Sequence, residues 1–175
     1  VREKAIEKHL PGRHDQKELG RKKGILWVNV GGDASERGKN LIRNVLRSVD
    51  FDNRVINRVE VLSQEKADED LGIGVNGKSL GDKLLIRDID DVDSIEYAFY
   101  HELGHSINDV YPSLADNYRN NQPSVDEYNF FKKKIIESGL YPKYTHNREI
   151  FANAYAVAMY GGENFPRTIE FFTAK

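Results

Sequence analysis

Residues 94–108 read SIEYAFYHELGHSIN, and this stretch separates two kinds of sequence. Ile95, Phe99, Leu103 and Ile107 recur within it at helical spacing, an apolar stripe that can anchor a helix to a core. Ser94 stands where a capping hydroxyl is wanted, so the pattern predicts a helix through Asn108. Before this stretch the apolar residues come in short runs; after it they recur every three to four residues. Strands first and helices after argue an α+β fold. A small, mostly N-terminal β-sheet with an early helix is followed by a helical C-terminal half.

Upstream, Ile25 to Val30 (ILWVNV) is a short run with three β-branched residues, closed by Gly31-Gly32, and reads as a buried strand. Asp33 with Glu36 is a helix-start signal, and Leu41, Ile42, Val45, Leu46 and Val49 repeat behind it at helical spacing. Val59 to Leu62 and Leu71 to Val75 are further strand candidates. Asn76-Gly77 is a strong turn dipeptide ahead of a strand at Leu84-Leu85-Ile86. Gly72 and Gly74 alternate with apolar residues and read as a bent or bulged strand. No helix start follows them, so they do not make a phosphate-cradling loop.

Downstream, Ser124 and Glu127 read as a capping box for a second helix, which Gly139 stops. A third helix is expected from near Asn147 to Met159, ahead of Gly161-Gly162, and a short last one after Pro166. The whole reads as one domain over 1–175: a charged arm or helix at 1–24, a sheet-rich part at 25–93 and a helical part at 94–175. His9 and His14 lie in the polar arm and are given no role.

The chain has 175 residues, with 26 Lys+Arg against 28 Asp+Glu and a net charge of −2. That balance favours no polyanionic partner, so nucleic acid is not expected. No run approaches the roughly 18 apolar residues of a membrane span. Aromatic residues make up 10% of the chain, which belongs to a packed protein rather than a disordered one. There are no cysteines, which excludes disulfides, thiolate metal sites and a Cys nucleophile. Any metal must be held by His and carboxylate, and there are only five histidines.

Two of them lie in His101-Glu102-Leu103-Gly104-His105. Four residues apart on a helix, His101 and His105 are separated by about 40° of rotation and can reach one ion. Glu102 lies a side step round the helix, within reach of a water beside that ion. Imidazole and carboxylate without thiolate suit zinc. The bland alternative is a surface helix with two incidental histidines; such a motif arises by chance in about one such chain in a hundred. A catalytic zinc usually takes a third protein ligand and leaves a position open for water. His146 or a later carboxylate could serve. Glu149 is favoured because Ala152, Ala156 and Met159 continue along its helix face, and a mostly small surface allows close approach of the zinc helix. Otherwise Glu149 is an ordinary first-turn acid.

HELGH followed by Glu149-Ile150-Phe151-Ala152-Asn153-Ala154-Tyr155-Ala156 resembles the gluzincin metalloproteases. Among them it is similar to the group of the anthrax lethal factor catalytic domain and the secreted Pro-Pro endopeptidases. The specific motifs are confined to residues 97–110 and 144–156. The resemblance implies His101, His105 and Glu149 as zinc ligands, Glu102 as general base, and a Tyr that donates to the developing oxyanion. Two departures stand out. Asn153 replaces a Glu that commonly follows the Ala, and Pro142 occupies the ungapped offset of the Tyr. Tyr144 fits with a short deletion and Tyr141 with a one-residue insertion; Tyr144 is preferred, because an Asn again lies between it and Glu149. On resemblance, Lys83 to Arg87 is expected as the edge strand along the cleft, pairing with an extended peptide.

The expected function is therefore a zinc endopeptidase acting on a protein substrate, a secreted bacterial protease or toxin-like effector. The alternatives are a zinc-binding module that has lost catalysis, or a cytosolic regulatory zinc peptidase. The chain begins with Val rather than Met, so a removed leader would not be visible. Asp88, Asp90, Asp91 and Asp93 lack the Gly and Glu of a calcium loop and are read as a solvated loop near the zinc helix. Tyr97, Tyr100, Phe130, Phe131 and Tyr155 are read as core rather than cleft.

Overall fold

The computed structural model describes residues 28–48, 55–161 and 163–173. The arm at 1–24, the run from Ile25 to Trp27, and Val49 lie outside them. The fold is α+β: a small N-terminal mixed sheet with an early helix, then a mostly helical C-terminal half. In chain order the elements are β1 (Asn29–Gly31), α1 (Glu36–Ser48), β2 (Arg58–Leu62), α2 (Gln64–Asp70), β3 (Gly77–Leu80) and β4 (Lys83–Arg87). Then come α3 (Val92–Val110), α4 (Ser113–Arg119), α5 (Val125–Ser138), α6 (His146–Tyr160) and α7 (Pro166–Thr173), with 3-10 turns before α5 and α6.

The sheet runs β1-β2-β4-β3, with β1, β2 and β4 parallel and β3 antiparallel to β4. In a strand, alternate side chains face opposite ways, and register neighbours share a face. Val59 and Val61 pair with Leu84 and Ile86. All four are buried against α1 and α3, through Ile42, Leu46, Ile95, Phe99, Leu103 and Ile107. Leu62 and Leu85 face the other way, onto Ala67 and Leu71 of α2 and its exit. The apolar stripe read from the sequence thus lies against the centre of the sheet.

Several local expectations are corrected. β4 is a central strand, not an edge; among the described strands the edges are β1 and β3. β4 is a run of apolar residues because both its faces are covered, Leu84 and Ile86 by the main core and Leu85 by Leu62 and Ala67. Leu71–Val75 is a loop after α2, with Gly72 and Gly74 at positive φ, rather than a strand. Asn76-Gly77 is not the hairpin turn. Gly77 opens β3, and the two-residue turn is Gly81-Asp82, where Gly81 has φ 68°. α2 went unread: Ser63 caps it by accepting from the Lys66 N–H at 3.2 Å.

Cap assignments shift as well. Asp33 does not start α1; it accepts from the Ser63 N–H at 2.9 Å, while the Ser35 hydroxyl caps α1 through the Gly38 N–H. α3 begins at Val92 with Asp91 at its cap position, ahead of the expected Ser94. The Ser124–Glu127 box does not form: the Glu127 carboxylate accepts from the backbone N–H groups of Arg167 (3.0 Å) and Thr168 (2.8 Å) and so starts α7. Gly139, at φ 64°, ends α5 as expected. The acidic loop is solvated at the start of α3 as expected, with Asp90, Asp91 and Asp93 exposed, and two of its members also have partners at the start of α1. Asp88 accepts from the Ser35 hydroxyl at 3.0 Å, and Asp90 pairs with Arg37.

Candidate metal centre and cleft

α3 and α6 cross at their small residues. A Cβ on Gly104 would lie 3.1 Å from the Ala152 Cα and 3.2 Å from the Tyr155 ring. That close approach brings Glu149, in the first turn of α6, over the two histidines of α3. His105 Nε2 is 3.2 Å from His101 Nε2, and 3.1 and 2.8 Å from the two oxygens of Glu149; His101 Nε2 is 3.5 Å from the nearer one. Zinc held tetrahedrally at ordinary bond lengths spaces its ligand atoms by about 3.3 Å. These three side chains already have that spacing, and their two nitrogens and one carboxylate suit the ion. His101, Glu102 and His105 also form a group whose ligand atoms all lie within 4.8 Å of one another, so the cluster could hold a metal ion.

The charges are mutually adjusted. Burial alone would raise Glu149, yet hydrogen bonds from His101 and His105 bring its carboxyl down to about 2. Burial opposes a charged His101 ring, but its bond to Glu149, the nearby Glu102 charge and a hydrogen bond to Asn153 together raise it above its ordinary value. Glu102 is raised: burial disfavours its charge, and the His101 and His105 rings only partly offset this. His105 Nδ1 is buried without a hydrogen-bond partner among the described residues.

The cluster opens into a cleft of about 610 Å³. Its walls are the Gly74–Gly77 segment on one side and Leu140, Tyr141, Asn153 and Tyr160 on the other, with Tyr97, His101 and Glu102 between them. Tyr141 lines the cleft, and burial followed by the charges of Glu149 and Glu102 raises its phenol, which therefore keeps its proton near neutrality. Tyr144, the preferred position from sequence, is 88% exposed on the 3-10 turn Lys143–Thr145 and does not line the cleft. His146 is also not in the cluster; its Nε2 lies 3.1 Å from the Tyr141 carbonyl. Tyr100, Phe131 and Tyr155 are core as expected, whereas Tyr97 lines the cleft and Phe130 is exposed.

No family model, curated protein or solved structure matches the chain. The chemistry of the site rests on these side chains and their geometry.

Two contributors were not read from sequence. Asn153, noted only as a departure, lines the cleft with His101 and helps to raise its pKa. Arg87 is buried and holds the loop behind the cleft wall. Its guanidinium donates to the carbonyls of Val75 (3.0 Å) and Gly72 (2.8 Å), to Gln64 Oε1 (2.9 Å), and to Asp68 (2.7 Å). The Arg87 backbone N–H also donates to the Asn76 carbonyl at 2.8 Å. Hydrogen-bonded and open pairs alternate along an antiparallel ladder, so the backbone groups of Gly77 and Ser79 point away from β4, along the edge that no described strand covers. An arginine ending an apolar strand carries no local sign of such a role.

Proposed function

We propose that the protein is a zinc-dependent endopeptidase that hydrolyses a peptide bond in an extended segment of a protein substrate. The observation that supports it most is the convergence of His101, His105 and Glu149 on one point at zinc-ligand spacing, with Glu102 beside them on an open cleft. The gluzincin resemblance of HELGH and the Glu149 segment agrees with it.

His101, His105 and Glu149 would hold the zinc, which when bound would supply a Lewis acid for the scissile carbonyl and would lower the pKa of water. Glu102 takes the proton from the attacking water and passes it to the leaving amine. Its raised pKa brings it nearer the operating pH, where such a shuttle is most effective. The phenol of Tyr141 donates to the oxyanion. The substrate lies as an added strand on the outer edge of β3, bonded to the backbone at Gly77 and Ser79. A purely structural zinc site closes all four positions with protein and needs no general base, so the open cleft and Glu102 favour the enzyme over a lapsed module.

The deciding experiment is a peptide-library digest of wild type, chelated wild type and Glu102→Gln. Wild type is expected to cleave, chelation to stop it, and E102Q to keep stoichiometric zinc while losing turnover. Full activity in E102Q sinks the mechanism, and zinc binding without turnover in wild type favours the lapsed module.

A further inference from the structure

We propose that Gly77 is a positioning residue for Glu102, the absence of its side chain being what seats that carboxylate at the metal cluster. The inference rests on the endopeptidase reading and names the element that holds its general base in place.

Gly77 opens the edge strand β3, and its missing side chain would point towards α3. A Cβ built there would lie 2.7 Å from Glu102 Cγ, 3.2 Å from Oε2 and 3.3 Å from Cδ. The first of these distances is shorter than carbon atoms tolerate, so something must move. Backbone conformation is not the issue: Gly77 is not among the glycines at positive φ, and alanine could adopt its φ. The requirement is space alone.

The strand is poorly placed to give way. The Asn76 carbonyl before it is held by the Arg87 N–H, and Val75 and Gly72 by the Arg87 guanidinium. Two residues on, Ser79 Oγ lies 2.8 Å from the Oγ of the fully buried Ser106, which also donates to the Gly81 carbonyl at 2.9 Å. β3 is thus fastened to β4 on one side and to α3 below. Glu102 has rotatable bonds and a cleft to move into, so its carboxylate is the part that shifts.

That shift has a selective consequence. The three atoms nearest to a Cβ at Gly77 all belong to Glu102 and none to His101, His105 or Glu149, so metal binding is expected to be spared. Proton transfer by Glu102 is not. Asn76-Gly77 is a turn dipeptide by sequence, yet here the glycine serves a close approach between strand and general base.

The test is Gly77→Ala made in wild type and in the E102A background, with zinc content, thermal midpoint, kcat and KM measured. G77A is expected to hold stoichiometric zinc and keep KM within about twofold while kcat falls at least tenfold. Its midpoint should drop in wild type and not in the E102A background, where no Cγ remains to be met. A kcat within twofold of wild type, or an equal midpoint loss in both backgrounds, overturns the inference. If wild type cleaves no peptide, the endopeptidase reading fails and takes this role with it. Cleavage by wild type with an unimpaired G77A overturns the role of Gly77 alone.

Discussion

Glu149 Oε2 and His105 Nε2 lie 2.8 Å apart across 44 positions of sequence, on two helices that touch at Gly104 and Ala152. The carboxylate reaches the imidazoles because Gly104 has no side chain to hold its helix away from the Ala152 backbone and the adjoining Tyr155 ring. Its own helix contributes too, since a first-turn acid is favoured by the N-terminal dipole.

Replacing Glu149 by Gln should therefore cost metal before it costs fold. Loss of an outer hydrogen-bond partner alone weakens a metal site by about 10–100-fold. Loss of a direct ligand charge in E149Q should exceed this, measured by chelator-competition titration. Zinc affinity within twofold of wild type would remove Glu149 from the ligand set.

The crossing itself can be tested at Gly104. Alanine there meets Ala152 Cα at 3.1 Å, and valine adds two methyls to the same contact. Gly104→Val should destabilise the protein by about 1–3 kcal/mol, the usual cost of overpacking. It should also weaken zinc binding, because α6 carries Glu149. Calorimetry and zinc titration on the same sample check both.

How far the sequence disclosed all this depends on the range of each interaction. The helix of HELGH, its apolar stripe, the Gly139 stop and the helix carrying Glu149 all follow from local periodicity, and each is present. The small-residue face of α6 was readable too, although its partner Gly104 was not singled out. What misled were residues with two uses. Glu127 has the spacing of a capping box but caps α7, because a distant helix start offers it two N–H donors. Asn76-Gly77 has turn chemistry but serves a strand beside Glu102. Sheet order was the largest loss: nothing within Lys83–Arg87 tells whether a fourth strand covers its side, and β3 does. Tyr141 and Tyr144 are three residues apart on an irregular segment, where no periodicity assigns a direction.

That pair separates cleanly in experiment. Tyr141 lines the cleft with its phenol protonated; Tyr144 faces solvent. Tyr141→Phe should lower kcat by about 10²–10³-fold, the usual effect of losing an oxyanion donor. Tyr144→Phe should leave kcat within about twofold. Equal effects in the two variants would return the donor to another group.

Arg87 should be costly to remove although it is remote from the metal. Arg87→Met leaves the Gly72 and Val75 carbonyls without their side-chain donor, and Asp68 without its cation. Val75 and Asp68 are exposed and Gly72 still accepts from the Val75 N–H, so each lost hydrogen bond costs about 0.5–1.5 kcal/mol. A loss of about 2 kcal/mol or more in denaturant unfolding is expected, with faster proteolytic nicking within 71–76. Unchanged nicking would mean that the loop is held by its own backbone.

The pH response should reverse sign with metal. In the metal-free protein His101 has a folded value above its ordinary 6.5, so its pairing contributes fully below 6.5 and is lost as pH rises through that folded value. Glu102, raised from 4.5 mainly by burial, acts in the same direction, because the folded state holds its proton longer than the unfolded one. Glu149 acts oppositely: its contribution is complete above 4.5 and is lost as pH falls towards about 2. Metal-free stability from this cluster should therefore be greatest near pH 4.5, where the Glu149 contribution is complete, decline as Glu102 ionises and fall further above 6.5 as the His101 contribution is lost. Zinc needs the imidazoles unprotonated, and the raised His101 makes protons compete above the usual range. The zinc-induced rise in Tm should thus grow between about pH 5 and 8, while the chelated protein loses stability over the same interval. Thermal scans with zinc and with chelator across that range decide it. A zinc increment that stays flat with pH would mean that His101 is not a ligand.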